Sequence, residues 1–291
     1  SHPPAKVWRA ATEPAQLSQW FPAAVSYDGA LAVGVKVGFD DGRGDGSSWG
    51  GVVTELDPPH GFGFTWEDDH IHIELSTEGD GCLLVLTHTF GDRAGAASFA
   101  SGWERCLDAL DQLVDGQTPE IVPPSDELHE EYVRRLHLTE GVVEDGADGW
   151  TVRFERQLTR PAPTVWRVLT GAAPGGGDPP EPAVGGTVPQ PARAAGVTPD
   201  AMTAVEAPTL LEYSWKEGDR EGGRVRWELG HEGTGHGARL VVLQTGPSDL
   251  TEARSAALAT WAAPIEVLAT RLLATGAVTL RSLSRRCRRA W

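Results

Sequence analysis

Only three cysteines occur in 291 residues. Cys82, Cys106 and Cys287 are odd in number, far apart and without C-x-x-C spacing, which excludes a disulfide framework or a cysteine zinc site as the organising device. No run approaches the roughly 18 uninterrupted apolar residues of a membrane span, and no charged-then-apolar signal segment opens the sequence. There is no P-loop, dinucleotide fingerprint, nucleophile elbow or Cys/His metal constellation. The expectation is therefore a cytoplasmic protein with no cofactor and no bound metal. Positive charge is also scarce: 25 basic residues face 41 acidic ones, for a net charge of −16. Five arginines fall in the last eleven residues, RSLSRRCRRAW, which leaves the rest of the chain still more acidic. Such a body repels nucleic acid and anionic membranes, so neither is an expected partner of it.

What the sequence does have is tryptophan, eleven against three tyrosines, and a repeat. HPPAKVWRAAT (2–12) returns as RPAPTVWRVLT (160–170). LAVGVKVGF (31–39) is echoed by PAVGGTVPQ (182–190), VVTELDPPHGFGFTW (52–66) by MTAVEAPTLLEYSW (202–215), and SFASGWERCLDALDQLVDG (98–116) by ALATWAAPIEVLATRLLATG (257–276). The order is kept throughout, as in a tandem duplication. In each copy a short helix begins on proline, where the missing N–H costs nothing. Period-2 strands follow, separated by glycine-rich turns such as DDGRGDG (40–46). Ile71, Ile73 and Leu75 alternate with His70, His72 and Glu74, and Val225, Trp227 and Leu229 with Arg224, Arg226 and Glu228, so each sheet is expected to cover one face and wet the other. A long amphipathic helix closes each copy, through Phe99, Trp103, Cys106, Leu107, Leu110, Leu113 and Val114 in the first and Leu258, Trp261, Ile265, Leu268 and Leu272 in the second. The expected organisation is a first domain over 1–116, a Pro-rich linker with a short helix over 117–149, a degenerate second domain over 150–280 and a basic tail over 281–291. The linker helix should turn Leu128, Tyr132 and Leu136 inward.

The set PPAKVWRAATEPAQLSQWF, GGVVTELDPPHGFGFTW, LVLTHTF and GWERCLDALDQL resembles the START-like, or SRPBCC, superfamily, and within it the group named after activators of the heat-shock-protein-90 ATPase. The resemblance implies an α+β fold of tandem helix-grip domains, each a curved antiparallel sheet of seven strands wrapped around a long C-terminal helix. It implies a cavity for an apolar ligand. Members of the superfamily bind lipids, hormones or polyketides, and some cyclise or dehydrate polyketides. Two departures stand out. The strand that precedes the first helix in the family is present in the second copy as WTVRFERQLT (150–159), but only Ser1 precedes His2-Pro3 in the first. The EPAQLSQWFPAAVSYDGALA stretch (13–32) is replaced in the second copy by GAAPGGGDPPEP (171–182), where no helix is expected, so the second domain is expected to act as support.

Candidate ligand-binding residues in the first domain are Trp20 and Phe21 at the cavity mouth, Phe64 and Trp66 on a strand, Phe99 and Trp103 on the long helix, and His88. His88 is the one weak catalytic candidate, with Thr245 as its counterpart; it reads first as a hydrogen-bonded structural residue. Glu55 and Asp57 read as turn residues before Pro58-Pro59, His70 and His72 as a solvent-facing pair, and HEGTGHG (231–237) as a loop. Arg43-Gly44-Asp45 is read as a chance match to an adhesion motif. Three functions compete: carriage of a small hydrophobic or amphipathic ligand, a polyketide cyclase-like enzyme, and a cochaperone-like protein-interaction module.

Overall fold

The computed structural model describes residues 2–40, 42, 49–172, 177, 179–230 and 237–287, with side chains as far as 275 except that of Trp49. The chain divides into two compact units, Ser1–Arg93 with Ser101–Pro124, and Ala94–Ala100 with Ser125–Trp291. Most of DDGRGDG and HEGTGHG, the Arg43-Gly44-Asp45 triplet and the arginine side chains of the tail lie outside the described residues.

The first unit starts with α1 (Pro4–Thr12) and α2 (Pro14–Leu17), both with proline in the first turn. Six strands follow: β1 (Ala24–Tyr27), β2 (Lys36–Asp40), β3 (Trp49–Asp57), β4 (Gly61–Trp66), β5 (Asp69–Glu78) and β6 (Gly81–Thr89). They pair in chain order as one antiparallel meander. The long helix α3 (Ala96–Val114) comes next; its first residues, to Ala100, group with the second unit and the rest with the first. Ile71, Ile73 and Leu75 are buried and Glu74 is exposed, so the alternation in the sequence does set the covered face.

The second unit contains α4 (Asp126–Arg135), β7 (Val142–Gly146), β8 (Gly149–Gln157), α5 (Ala162–Leu169), β9 (Thr198–Glu206), β10 (Leu210–Glu217), β11 (Arg220–Gly230), β12 (Arg239–Gly246), α6 (Thr251–Thr260) and α7 (Ala262–Cys287). Its sheet runs β7-β8-β12-β11-β10-β9, all antiparallel. Each sheet has six strands among the described residues, where the resemblance implies seven. Strands β9 to β12 repeat β3 to β6, and among the described residues β1 and β2 have no second copy.

Local contacts repeat as well. Thr12 donates its hydroxyl to the Trp8 carbonyl and Thr170 its own to Trp166, each at 2.8 Å. The threonine that ends the repeated V-W-R stretch thus bonds back onto the carbonyl one turn earlier, where the helix is running out of partners. The Leu75 amide donates to the His60 carbonyl at 2.7 Å and the Leu229 amide to Thr209 at 2.8 Å, closing matching corners of the two sheets.

Two expectations fail for physical reasons. The second closing helix is broken into α6 and α7 at Trp261, because Pro264 supplies no N–H to the preceding turn and its ring crowds the carbonyl of Thr260. Leu258 consequently lies off the buried stripe and is 38% exposed, while Trp261, Ile265, Leu268 and Leu272 are buried. Residues 251–275 are long and apolar enough to cross a membrane by length and composition alone, but these four side chains belong to the core of the second unit. The segment 117–149 is more than a linker, because β7 pairs with β8. Its helix α4 buries His129, Glu130 and Val133, and Leu136 is exposed. Glu130 makes a buried ion pair with Arg156 of β8, and Asp126 pairs with Arg160. The ion partners turn this helix, and an apolar stripe count cannot see them.

Burial pushes the Glu130 carboxyl up, but the His129 ring 3.4 Å away and the Arg156 charge outweigh it and hold the group below its ordinary value. A carboxyl depressed on folding adds stability above its unfolded value of about 4.5, and that stability is lost as pH falls through the lower folded value. Glu130→Ala leaves Arg156 buried and unpaired and is expected to cost about 3–5 kcal/mol. Urea unfolding at pH 7 and pH 3 checks both points: the gap between parent and variant should be wide at pH 7 and narrow at pH 3.

Candidate functional site

The first unit is centred on Phe21, which follows α2. Its ring lies 5.7 Å from Phe39, 5.9 Å from Phe64, 5.0 Å from Trp66 and 5.5 Å from Trp103, centroid to centroid. These rings come from the segment after α2, from β2 and β4, and from α3, so one aromatic cluster ties helices to sheet. Such pairs add about 0.5–1.5 kcal/mol each beyond area burial. Trp20 packs edge-on against Phe21 at 6.3 Å and donates its indole N–H to the Ala10 carbonyl at 2.9 Å. With 0% of its surface exposed, Trp20 sits inside the unit and not at an opening. Phe21 and Phe64 are likewise interior, whereas Trp66 is partly exposed. Phe99 is partly buried, and it falls in the Ala94–Ala100 stretch that groups with the second unit.

At the Trp66 end of this cluster a polar chain crosses from sheet to helix. Trp103 donates its Nε1–H to His88 Nδ1 at 3.1 Å, and His88 Nε2 lies 3.0 Å from Asp69 Oδ2. Because the indole can only donate, Nδ1 must carry the lone pair, and the neutral ring holds its proton on Nε2, aimed at Asp69. Phe90 packs on the His88 ring at 4.8 Å and Trp66 on Trp103 at 6.2 Å. Burial lowers the His88 pKa below its ordinary value, and the bond and charge of Asp69 oppose that without cancelling it. A protonated ring would also point an N–H at the indole N–H.

The duplication shows what this histidine replaces. Cross-strand pairs Ile71–His88 and Ile73–Leu86 in the first unit match Val225–Gln244 and Trp227–Val242 in the second. The counterpart of His88 is therefore Gln244, one residue before the Thr245 expected from the sequence. Gln244 Oε1 accepts from the Trp261 indole at 2.6 Å, as His88 Nδ1 does from Trp103. Both units thus join the closing helix to the same strand by an indole N–H. The sequence contained this signal in its strand parity, which aligns Val225 with Ile71. Asp69 carried none, since it is the first residue of β5 in an acidic turn.

The remaining candidates are placed apart from this chain. Glu55 and Asp57 are exposed, which leaves no dry cavity for paired carboxylate chemistry. His70 bonds the Thr54 hydroxyl at 2.8 Å, and His72 Nε2 lies 3.3 Å from Glu55. Among the described residues no group of three or more His, Cys, Asp or Glu could hold a metal ion. Cys106 is buried in α3, where desolvation pushes its thiol up to about 11.

An antiparallel sheet gripping a long helix through an aromatic cluster defines an α+β helix-grip protein. Residues 1–115 match the family model of the Activator of Hsp90 ATPase homolog 1-like protein. Among solved structures, CalU16 from Micromonospora echinospora is 27% identical with a TM-score of 0.37, over 47% of this chain and 82% of that one. A conserved protein of unknown function from Enterococcus faecalis, EF2215, is 23% identical with a TM-score of 0.39, over 47% and 80%. DynU16, from the dynemicin biosynthetic locus, is 17% identical with a TM-score of 0.37, over 94% of each chain. No curated protein matches the chain.

The His88 side chain should be replaceable by the residue that the second unit uses. His88→Gln keeps an acceptor for Trp103 and is expected to stay within about 1 kcal/mol of the parent, whereas His88→Leu strands the indole N–H and costs about 1–3 kcal/mol. A histidine whose pKa falls on folding adds stability above its unfolded value of about 6.5, lost as pH drops through the lower folded value. Thermal unfolding between pH 7.5 and pH 5 should therefore show an acid-side loss in the parent that is smaller in His88→Gln.

Proposed function

We propose that the first unit binds a small apolar or amphipathic molecule at the Trp66 end of its aromatic cluster, without chemical turnover. The observation that carries this reading is the contrast within the cluster. Phe21, Phe39 and Phe64 are closed into the interior, while Trp66 and Phe90 come partway to the surface on either side of the Asp69–His88–Trp103 chain. Partly exposed rings around a few fixed polar groups favour a ligand with a flat apolar body and one polar edge. The match of residues 1–115 to the Activator of Hsp90 ATPase homolog 1-like family model is compatible with such binding. A carrier role is favoured over an enzyme because both nitrogens of His88 are engaged, Nδ1 by the Trp103 indole and Nε2 by Asp69. A general base needs a free lone pair within reach of the substrate proton.

Native mass spectrometry of the full chain as purified, with analysis of an organic extract, tests the reading. A reproducible small-molecule mass increment is expected, and Trp66→Ala should weaken rebinding of the extracted compound at least tenfold. An unliganded mass, together with no binding from a panel of flat apolar compounds, would sink it.

A further inference from the structure

The two units fill one corner of the fold differently. At the β4–β5 turn Trp66 lies opposite Asp69, as Trp215 lies opposite Gly223 in the second unit. Gly223 has φ +145°, and a Cβ placed on it would collide with the Thr245 carbonyl, so that corner has no room for a side chain. Its neighbour Trp215 is buried. In the first unit the same corner holds a carboxylate whose side chain is 27% exposed, beside a tryptophan that is partly exposed. The joint between helix and sheet does not call for that carboxylate, since Gln244 meets the Trp261 indole in the unit that has glycine there.

We propose that the molecule bound at this end carries a protonated amine, which hydrogen-bonds Asp69 while its flat apolar body lies on Trp66. This rests on the binding proposed above and specifies the polar edge of the ligand. The charge of Asp69 has no counter-charge in contact with it. Its Oδ2 accepts from His88, whose ring is neutral because Nδ1 accepts the Trp103 indole N–H. Among the described residues its Oδ1 accepts no hydrogen bond, and no lysine or arginine pairs with it. Residues 49–89 contain eight acidic side chains and no lysine or arginine, and Glu67 and Asp68 are exposed in the same turn. An ammonium placed there gains a charge-assisted hydrogen bond, a ring face for its charge and the field of an acidic unit. A carboxylate or phosphate meets repulsion at the same point, and a hydroxyl gains only the hydrogen bond.

The probes are naphthylmethylamine, the corresponding alcohol and the corresponding carboxylate, each titrated calorimetrically into the full-length protein at pH 7. The amine is expected to bind about tenfold tighter than the alcohol, with the carboxylate weakest of all. Asp69→Asn removes the charge and keeps an oxygen for the His88 N–H, so it should cost the amine about tenfold and leave the alcohol within about threefold. Glu74→Gln removes an exposed carboxylate from the same strand and should change neither affinity. Equal affinities for amine and alcohol, or equal losses of amine affinity in the two variants, overturn the amine and leave the binding site standing. If none of the three probes binds, the binding reading falls and the amine falls with it.

Discussion

An indole N–H buried between a helix and a sheet costs about 1–3 kcal/mol if it finds no acceptor, and both units are organised around meeting that demand. Trp103 and Trp261 are the bulkiest residues on the inner faces of their closing helices, and each reaches a side-chain acceptor on the last strand, His88 or Gln244. This bond ties the helix to the sheet. The rings of Phe21 and Trp66 pack on Trp103, and that of Trp227 on Trp261.

The same constraint is met by different chemistry in the two copies. Gln244 is a neutral acceptor whose state does not depend on pH near neutrality. His88 is an acceptor only while unprotonated, and it needs a second partner for its other nitrogen, which Asp69 provides at the less buried end. The first unit thus places a titratable group and a carboxylate beside partly exposed rings, where the second unit has a closed core. The difference between a closed helix–sheet joint and a candidate binding site is, at this position, one residue and its neighbour across the strand.

The units also solve different edge problems. The second unit spends charge on its interior, with Arg156 held by Glu130 from a helix outside the sheet. Such a pair contributes little net stability but is costly to break, so it specifies where α4 must lie. Among the described residues, β6 of the first unit is paired by β5, and GCLLVLTHTFG (81–91) carries no Lys, Arg, Asp or Glu.

Much of the architecture was legible in the residues themselves. Strand alternation at 71–75 and 225–229, proline at the helix starts and the order of the repeats depend on local periodicity and backbone chemistry, which a sequence displays directly. The aromatic candidates Phe21, Phe64, Trp66 and Trp103 do come together, since large apolar side chains at these spacings have few places to go. The tertiary structure alone decided which of them are closed in and which reach the surface, that Trp20 points inward to Ala10, that Asp69 faces His88, and that Glu130 turns α4 toward Arg156. Each of these is a pairing between polar groups far apart in the chain or separated by a turn. Their energies depend on distance and burial in three dimensions, and no periodicity along the sequence encodes either.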